Sequence, residues 1–150
     1  MSEKLSDYDK SWISRVLVDL FKWPLTQQFR QPVDPVRDGV ENYFDIIKNP
    51  VDLSTMKKKL NEGTYKTIQQ FTDDIHLMYE NSLQYNGNSS YFTYIAADIE
   101  KWYLNRLKLK GNNAEEEWKN RVFEIIEKLN EHRKLNPAER MPLSAVADHE

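Results

Sequence analysis

The 150-residue sequence contains no cysteine. That excludes a disulfide scaffold, a thiolate metal site and a cysteine nucleophile. Glycine is scarce, at 4 residues, and nothing fits G-x-G-x-x-G or G-x-x-x-x-G-K. A phosphate-cradling loop is therefore excluded. An excess of one charge is missing too: 21 Lys and Arg stand against 24 Asp and Glu, a net charge of -3. Electrostatic wrapping of nucleic acid is not expected from such a balance. No apolar run approaches the ~20 residues of a membrane helix, and MSEKLSDYDK carries no signal-peptide pattern. What the sequence does have is aromatic residues, with 4 Trp, 8 Tyr and 6 Phe. With 39% hydrophobic and 30% charged residues, it reads as one globular domain with a core of its own.

Hydrophobic spacing predicts five main helices and no strand. The first runs from about Ser6 to Trp23, with Ile13, Val16, Leu17 and Leu20 on one face, Ser6 as its cap and Pro24 as its stop. The second lies in VDLSTMKKKL, with Asp52 as N-cap and Gly63 near its end. A third spans about Thr67 to Tyr85, carrying Ile68, Phe71, Ile75, Met78 and Ser82 on one face, and ends in Tyr85-Asn86-Gly87-Asn88. A fourth spans about Tyr91 to Lys108, with Phe92, Ile95, Ile99, Trp102 and Leu107 turned inward. The last spans about Ala114 to His132, with Trp118, Val122, Ile125, Ile126 and Leu129 in one stripe. Residues 133–150 read as a loose polar tail. Between Pro24 and Pro50 no period is visible, yet Leu25, Phe29, Val33, Val36, Val40, Tyr43, Phe44, Ile46 and Ile47 can all pack. A patternless segment of that length in a compact domain is usually functional. The fold class is all-α, a helical bundle carrying one long structured loop.

Catalytic chemistry has little to stand on. His76, His132 and His149 make no metal-ligand spacing, and no nucleophile faces a base. Asp73-Asp74 and Glu115-Glu116-Glu117 read as acidic groups near helix starts, complementing the helix dipole. Lys57-Lys58-Lys59 reads as a solvated face, with phosphate contact as a second reading. Asn88-Ser89-Ser90 fits the glycosylation sequon by pattern alone.

Three blocks remain: FRQPVDP at 29–35, ENYFDIIKNPVDLSTMKKKL at 41–60 and DDIHLMYENSLQYN at 73–86. In this order and at these separations they resemble the bromodomains, left-handed four-helix bundles that read acetyl-lysine. They are closest in character to those of the histone acetyltransferase coactivators. The resemblance covers roughly residues 6–108 and leaves 114–132 as an additional C-terminal helix. It implies a non-catalytic, nuclear reader of acetylated proteins, histone tails above all, with no cofactor, no metal and no direct contact with nucleic acid or membrane. Carried over by position, Asn86 matches the asparagine that hydrogen-bonds the acetyl carbonyl, and Tyr43 the loop tyrosine that reaches the same oxygen through water. Phe29 and Val33 match the hydrophobic shelf and wall, and Val40 a further wall position. Tyr85 matches the aromatic before the asparagine, Ser82 a small floor residue, and Phe92 the gatekeeper.

The chemistry agrees with that assignment. Acetylation turns an ammonium into a neutral amide, which suits an apolar slot with one amide donor at its end. Unmodified lysine would bring an unpaired charge into that slot. Three departures stand out. Trp23-Pro24-Leu25 imitates the family's WPF shelf but sits four residues early, leaving Gln27-Gln28 before Phe29. Val36, Arg37 and Asp38 make the rim more polar, and Glu41 replaces a proline. Asp34, Asp38 and Glu41 would suit basic tails. An alternative reading is a bromodomain-shaped interaction scaffold without acetyl-lysine recognition, which meets a protein partner through helix 114–132.

Overall fold

The computed structural model describes residues 4–135. Among them every regular element is helical. They are α1 (Asp7–Lys22), α2 (Tyr43–Ile46), α3 (Leu53–Asn61), α4 (Ile68–Asn86), α5 (Tyr91–Leu109) and α6 (Ala114–Leu135). The chain divides into two compact units, one through Lys108 and one from Leu109.

The helices of the first unit begin where small polar caps stand. Ser6 accepts from the Asp9 amide at 3.0 Å, and Thr67 accepts from the Gln70 amide at 3.2 Å. Asp52 accepts from the Thr55 amide at 3.1 Å and from its hydroxyl at 2.5 Å. Each satisfies an amide that a helix start leaves without an internal partner. α3 stops at Gly63 and α4 at Gly87, both at positive φ (72° and 82°). Gly87 combines its φ with ψ 170°, backbone space that side chains essentially exclude. The turn that presents Asn86 thus depends on that glycine.

The core joins Trp12, Ile13, Val16, Leu17 and Leu20 of α1 to Leu53, Met56 and Leu60 of α3, Phe71, Ile75 and Met78 of α4, and Ile95, Ile99 and Tyr103 of α5. The expected faces of α1 and α4 are the buried ones. On α5 the expectation needs correction: Tyr103 is fully buried, Trp102 is half-buried against the core and Phe92 is exposed. The large core residues of α5 step 95, 99, 103, by four each time, and a three-residue step from 99 would have chosen 102.

The segment after α1 is more regular than its sequence suggests. Pro24 opens a 3₁₀ helix over Pro24–Phe29. Thr26, fully buried, donates its hydroxyl to the carbonyls of Leu20 (2.5 Å) and Trp23 (2.8 Å). A single one-turn helix, α2, follows. Elements of four and six residues are too short to print a period, so they escape periodicity reasoning. The loop is then tied to α3 and α4. The Ser54 amide donates to the Arg30 carbonyl at 3.1 Å. Asn81 donates to the Asn49 carbonyl at 2.8 Å, and Tyr85 to the Asn42 side chain at 2.9 Å.

Asp74 also departs from expectation. It lies beyond the first turn of α4, is buried, and accepts from Tyr65 at 2.5 Å and Lys59 at 2.8 Å. Lys59 therefore leaves the solvated basic run to bridge α3 and α4.

His76 of α4 meets Glu100 of α5 at 2.6 Å and Glu80 at 3.2 Å. The hydrogen bond to Glu100 holds its pKa above the usual 6.5, outweighing the opposing effect of burial, and the charges of Glu100 and Glu80 add to it. A histidine raised on folding contributes stability that is complete below its unfolded pKa and lost as pH rises through the folded one. Thermal stability is thus expected to fall modestly as pH rises above about 6.5, and His76→Gln to remove that step. An NMR titration of Glu100→Gln should show the imidazole returning toward its ordinary pKa. An unchanged midpoint would contradict the assignment.

In the second unit, the Asn113 side chain accepts from the Glu116 amide at 2.9 Å, and Glu116 accepts from the Asn112 amide at 2.7 Å. This reciprocal cap explains the break before α6. A Cβ at Gly111 would stand 2.3 Å from that of Glu116, so only glycine fits the approach. α6 continues through Leu135, three residues past the expected end, so 133–135 are helical and not tail. The rest of the expected tail, 136–150, lies outside the described residues. Glu115, Glu116 and Glu117 do occupy the first turn. Trp118, Ile125, Ile126 and Leu129 are exposed, and Val122 is half-buried.

Candidate functional site

One cavity of about 170 Å³ lies between the long loop and the C-terminal end of α4. All eight residues singled out in the sequence line it: Phe29, Val33, Val40, Tyr43, Ser82, Tyr85, Asn86 and Phe92. Pro32 and Pro35 bracket the loop stretch that supplies Val33, and α2 supplies Tyr43. The last turn of α4 supplies Ser82, Tyr85 and Asn86, and the first turn of α5 supplies Phe92.

The lining is graded in depth. Met78, Asn81 and Ser82 are buried and form the floor. Phe29, Val33, Val40, Tyr43 and Tyr85 are half-buried and form the walls. Gln28, Gln31, Asp38, Asn86 and Phe92 are exposed at the rim. The amide donor expected at the closed end therefore belongs to an exposed residue at a helix terminus, and the closed end is made by Met78 and Ser82. Tyr43 and Tyr85 meet edge to face at 5.0 Å, which fixes both rings as one wall. Burial, then the neighbouring Tyr85, raises the pKa of Tyr43. Its hydroxyl keeps its proton at neutral pH and can donate.

Asn86 is held by a short chain of hydroxyls. Its Nδ2 donates to Ser82 Oγ at 3.2 Å. Ser82 Oγ lies 3.4 Å from Thr93 Oγ1, and Thr93 donates to the Gly87 carbonyl at 2.7 Å. One amide hydrogen is thus engaged and orients the plane, while the second can serve a ligand. Sequence reasoning gave Ser82 only a small volume and missed Thr93 entirely. It also missed Asn81, whose side chain pins the loop to the floor. A buried polar residue on an apolar helix face was the available signal for each.

The rim is less acidic than its letters. Asp38 pairs with Arg37 at 2.9 Å and accepts from the Asp34 amide at 3.0 Å. The hydrogen bond from Arg37 holds its carboxyl below the ordinary range. Asp34 spends a carboxylate oxygen on the amides of Val36 and Arg37, at 3.1 Å each. Only Glu41, of the three acids expected to meet a basic partner, has no such local role. Chemically the cavity offers apolar walls and neutral donors, and its two carboxylates, Asp38 and Asp52, are engaged by Arg37 and by the cap of α3. Among the described residues no three acidic or histidine side chains converge as metal ligands.

The sequence profile of the bromodomain family matches residues 13–98. That is more than half of the chain, and the chain belongs to the bromodomain family. An ankyrin repeat, bromo and BTB domain-containing protein of Dictyostelium discoideum is 39% identical over 89 residues, 59% of this chain and 11% of that protein. Bromodomain-containing factor 1 of Saccharomyces cerevisiae is 44% identical over 72 residues, 48% of this chain and 10% of that protein. The SWR1 complex bromodomain subunit of Schizosaccharomyces pombe is 46% identical over 76 residues, 49% and 13% respectively. The similarity thus spans about a tenth of each relative's length. The likeness to coactivator bromodomains rests on the sequence motifs alone.

Proposed function

We propose that this protein is a non-catalytic reader that binds N-acetyl-lysine on nuclear proteins, histone tails above all. The observation that supports this reading is the convergence of the eight family-matched residues on one narrow cavity with neutral donors. In this reading the acetyl-lysine stem lies between Phe29, Val33 and Val40, the methyl group points toward Met78 and Ser82, and the carbonyl accepts from Asn86. Tyr43 contacts the same oxygen through water. The apolar walls then discriminate against unmodified lysine, whose ammonium would meet donors, the lining carboxylates Asp38 and Asp52 being already engaged by Arg37 and by the start of α3. Membership of relatives such as the SWR1 complex subunit in the same family supports a chromatin setting.

Affinity for one mark should be modest. Burying about four apolar carbons contributes on the order of 3 kcal/mol, and lost translational and rotational freedom offsets much of it. Calorimetry with acetylated and unmodified forms of the same histone-tail peptides tests the reading. Expected are dissociation constants of roughly 10 µM to 1 mM for acetylated forms and no measurable heat for unmodified ones. Absence of acetyl-dependent binding across a peptide array would overturn it.

A further inference from the structure

A second cavity, of about 300 Å³, adjoins the first. Gln27, Gln28, Arg30, Gln31, Arg37 and Asp38 line it, and three of these, Gln28, Gln31 and Asp38, line the first cavity too. The two share a wall, yet their chemistry differs. Aromatic and aliphatic groups wall the first, whereas only amide and charged side chains line the second. The Gln27-Gln28 pair before Phe29 thus meets the Arg37-Asp38 pair of the loop.

The charges at this cavity do not cancel. Arg37 and Asp38 pair with each other at 2.9 Å. Asp34, outside the lining, accepts from the amides of Val36 and Arg37. Arg30 is half-buried, and among the described residues no carboxylate pairs with it. Its Nη2 donates to the Trp23 carbonyl at 3.0 Å and its Nε to Thr26 Oγ1 at 3.5 Å. Both acceptors are neutral, so these bonds spend two of its five N–H donors and leave the charge uncompensated. They also hold the guanidinium in place, because Thr26 is fully buried and itself bonded to the carbonyls of Leu20 and Trp23. The Arg30 backbone is fixed as well, its carbonyl accepting from the Ser54 amide at 3.1 Å. Around it, the exposed Gln27, Gln28 and Gln31 can turn amide donors toward a ligand. A pre-positioned guanidinium with donors to spare suits an anion.

We infer that the second cavity is an anion subsite for the peptide whose acetyl-lysine fills the first, taking a phosphorylated serine or threonine or a carboxylate side chain. The inference rests on the acetyl-lysine reading of the first cavity. Phosphate is the stronger match, because it brings more charge and three acceptor oxygens to the guanidinium fork. The shared wall is a single residue thick. At ~3.5 Å per extended residue, the anion should therefore stand about one to three positions from the acetyl-lysine. Such a subsite would let a slot that reads a small neutral amide choose among acetylated sites.

Fluorescence anisotropy with the 1–150 chain tests it. The probes are short acetyl-lysine peptides of otherwise neutral sequence, with serine, phosphoserine or glutamate at each flanking position in that range. Phosphoserine is expected to tighten binding about 3- to 10-fold over serine at one or more positions. A gain from phosphoserine alone identifies phosphate as the ligand, and a smaller gain from glutamate as well admits carboxylates. The gain should shrink as salt rises from about 50 to about 500 mM. Arg30→Gln should abolish it and leave affinity for the serine peptide unchanged, since Arg30 does not line the first cavity. Arg30→Lys keeps the charge and should keep part of the gain. The serine peptide, acetylated against unmodified, reports on the first cavity alone. Loss of acetyl dependence there would sink the acetyl-lysine reading and the subsite with it. Acetyl-dependent binding with no preference for an anionic flank, a gain indifferent to salt, or a gain that survives Arg30→Gln would overturn the subsite alone.

Discussion

Asn86→Ala is expected to weaken binding of an acetylated peptide by about 10- to 100-fold, with the fold intact. The removed amide would leave the ligand carbonyl unpaired against apolar walls, which costs about 1–3 kcal/mol. Asn86→Phe should reduce binding below detection, because its ring would also occupy a cavity of only about 170 Å³. Neither change should unfold the protein. Asn86 is exposed and ends α4, and its hydrogen bond is to Ser82, which keeps Thr93 within 3.4 Å. Calorimetry alongside thermal melting separates the two quantities. Wild-type affinity in Asn86→Ala would remove the donor from the mechanism and with it the proposed reading.

The site was legible because its parts are discrete. An asparagine before a glycine at a helix end, a tyrosine in the long loop and an aromatic at the next helix start each match a bromodomain motif by position, and the cavity gathers all of them. What the letters hid was how those groups are held. Ser82 and Thr93 lie eleven positions apart and meet only because α4 and α5 turn back at Gly87. Asp34, Asp38 and Arg37 look like rim charges awaiting a partner, whereas the loop spends them on its own amides and on each other. Local charge says little about which partners fold will bring.

Fold legibility followed helix length. The 16-residue α1 and 19-residue α4 show their buried faces clearly in the sequence. The six-residue 3₁₀ turn and four-residue α2 show nothing. α5 was harder because aromatic residues stand at both 102 and 103, and the choice between them rests on which carries a satisfiable hydroxyl into the core. Tyr103 does, with Thr72 Oγ1 at 2.7 Å. Asp74 was misread for a related reason: a carboxylate near a helix start suggests solvent, and only the tertiary fold supplies Tyr65 and Lys59.

Those same hydroxyls set the effect expected from Phe71→Ala. Phe71 is fully buried, and its ring meets Tyr65 and Tyr103 edge to face, each at 5.5 Å. Tyr103 in turn meets Trp12 at 5.8 Å, so the four rings form one row through α1, the segment before α4, α4 and α5. Truncating a buried phenylalanine costs about 3–5 kcal/mol, more where neighbours cannot close the void. Here they are tethered. Tyr65 is bonded to Asp74 and Tyr103 to Thr72, and burial foremost raises both phenol pKa values, that of Tyr103 to about 12. Either ring could slide into the space only by breaking a buried hydrogen bond, which adds about 1–3 kcal/mol. The loss should therefore fall near 4–5 kcal/mol and lower Tm by roughly 15 °C or more. Tyr94→Ala supplies the control: a comparable ring on α5 that is 60% exposed should change stability by no more than about 0.5 kcal/mol. Denaturant titration of the two variants measures the difference. A loss below about 2 kcal/mol for Phe71→Ala would mean that the tethered rings do relax, and that the row is not the keystone of this core.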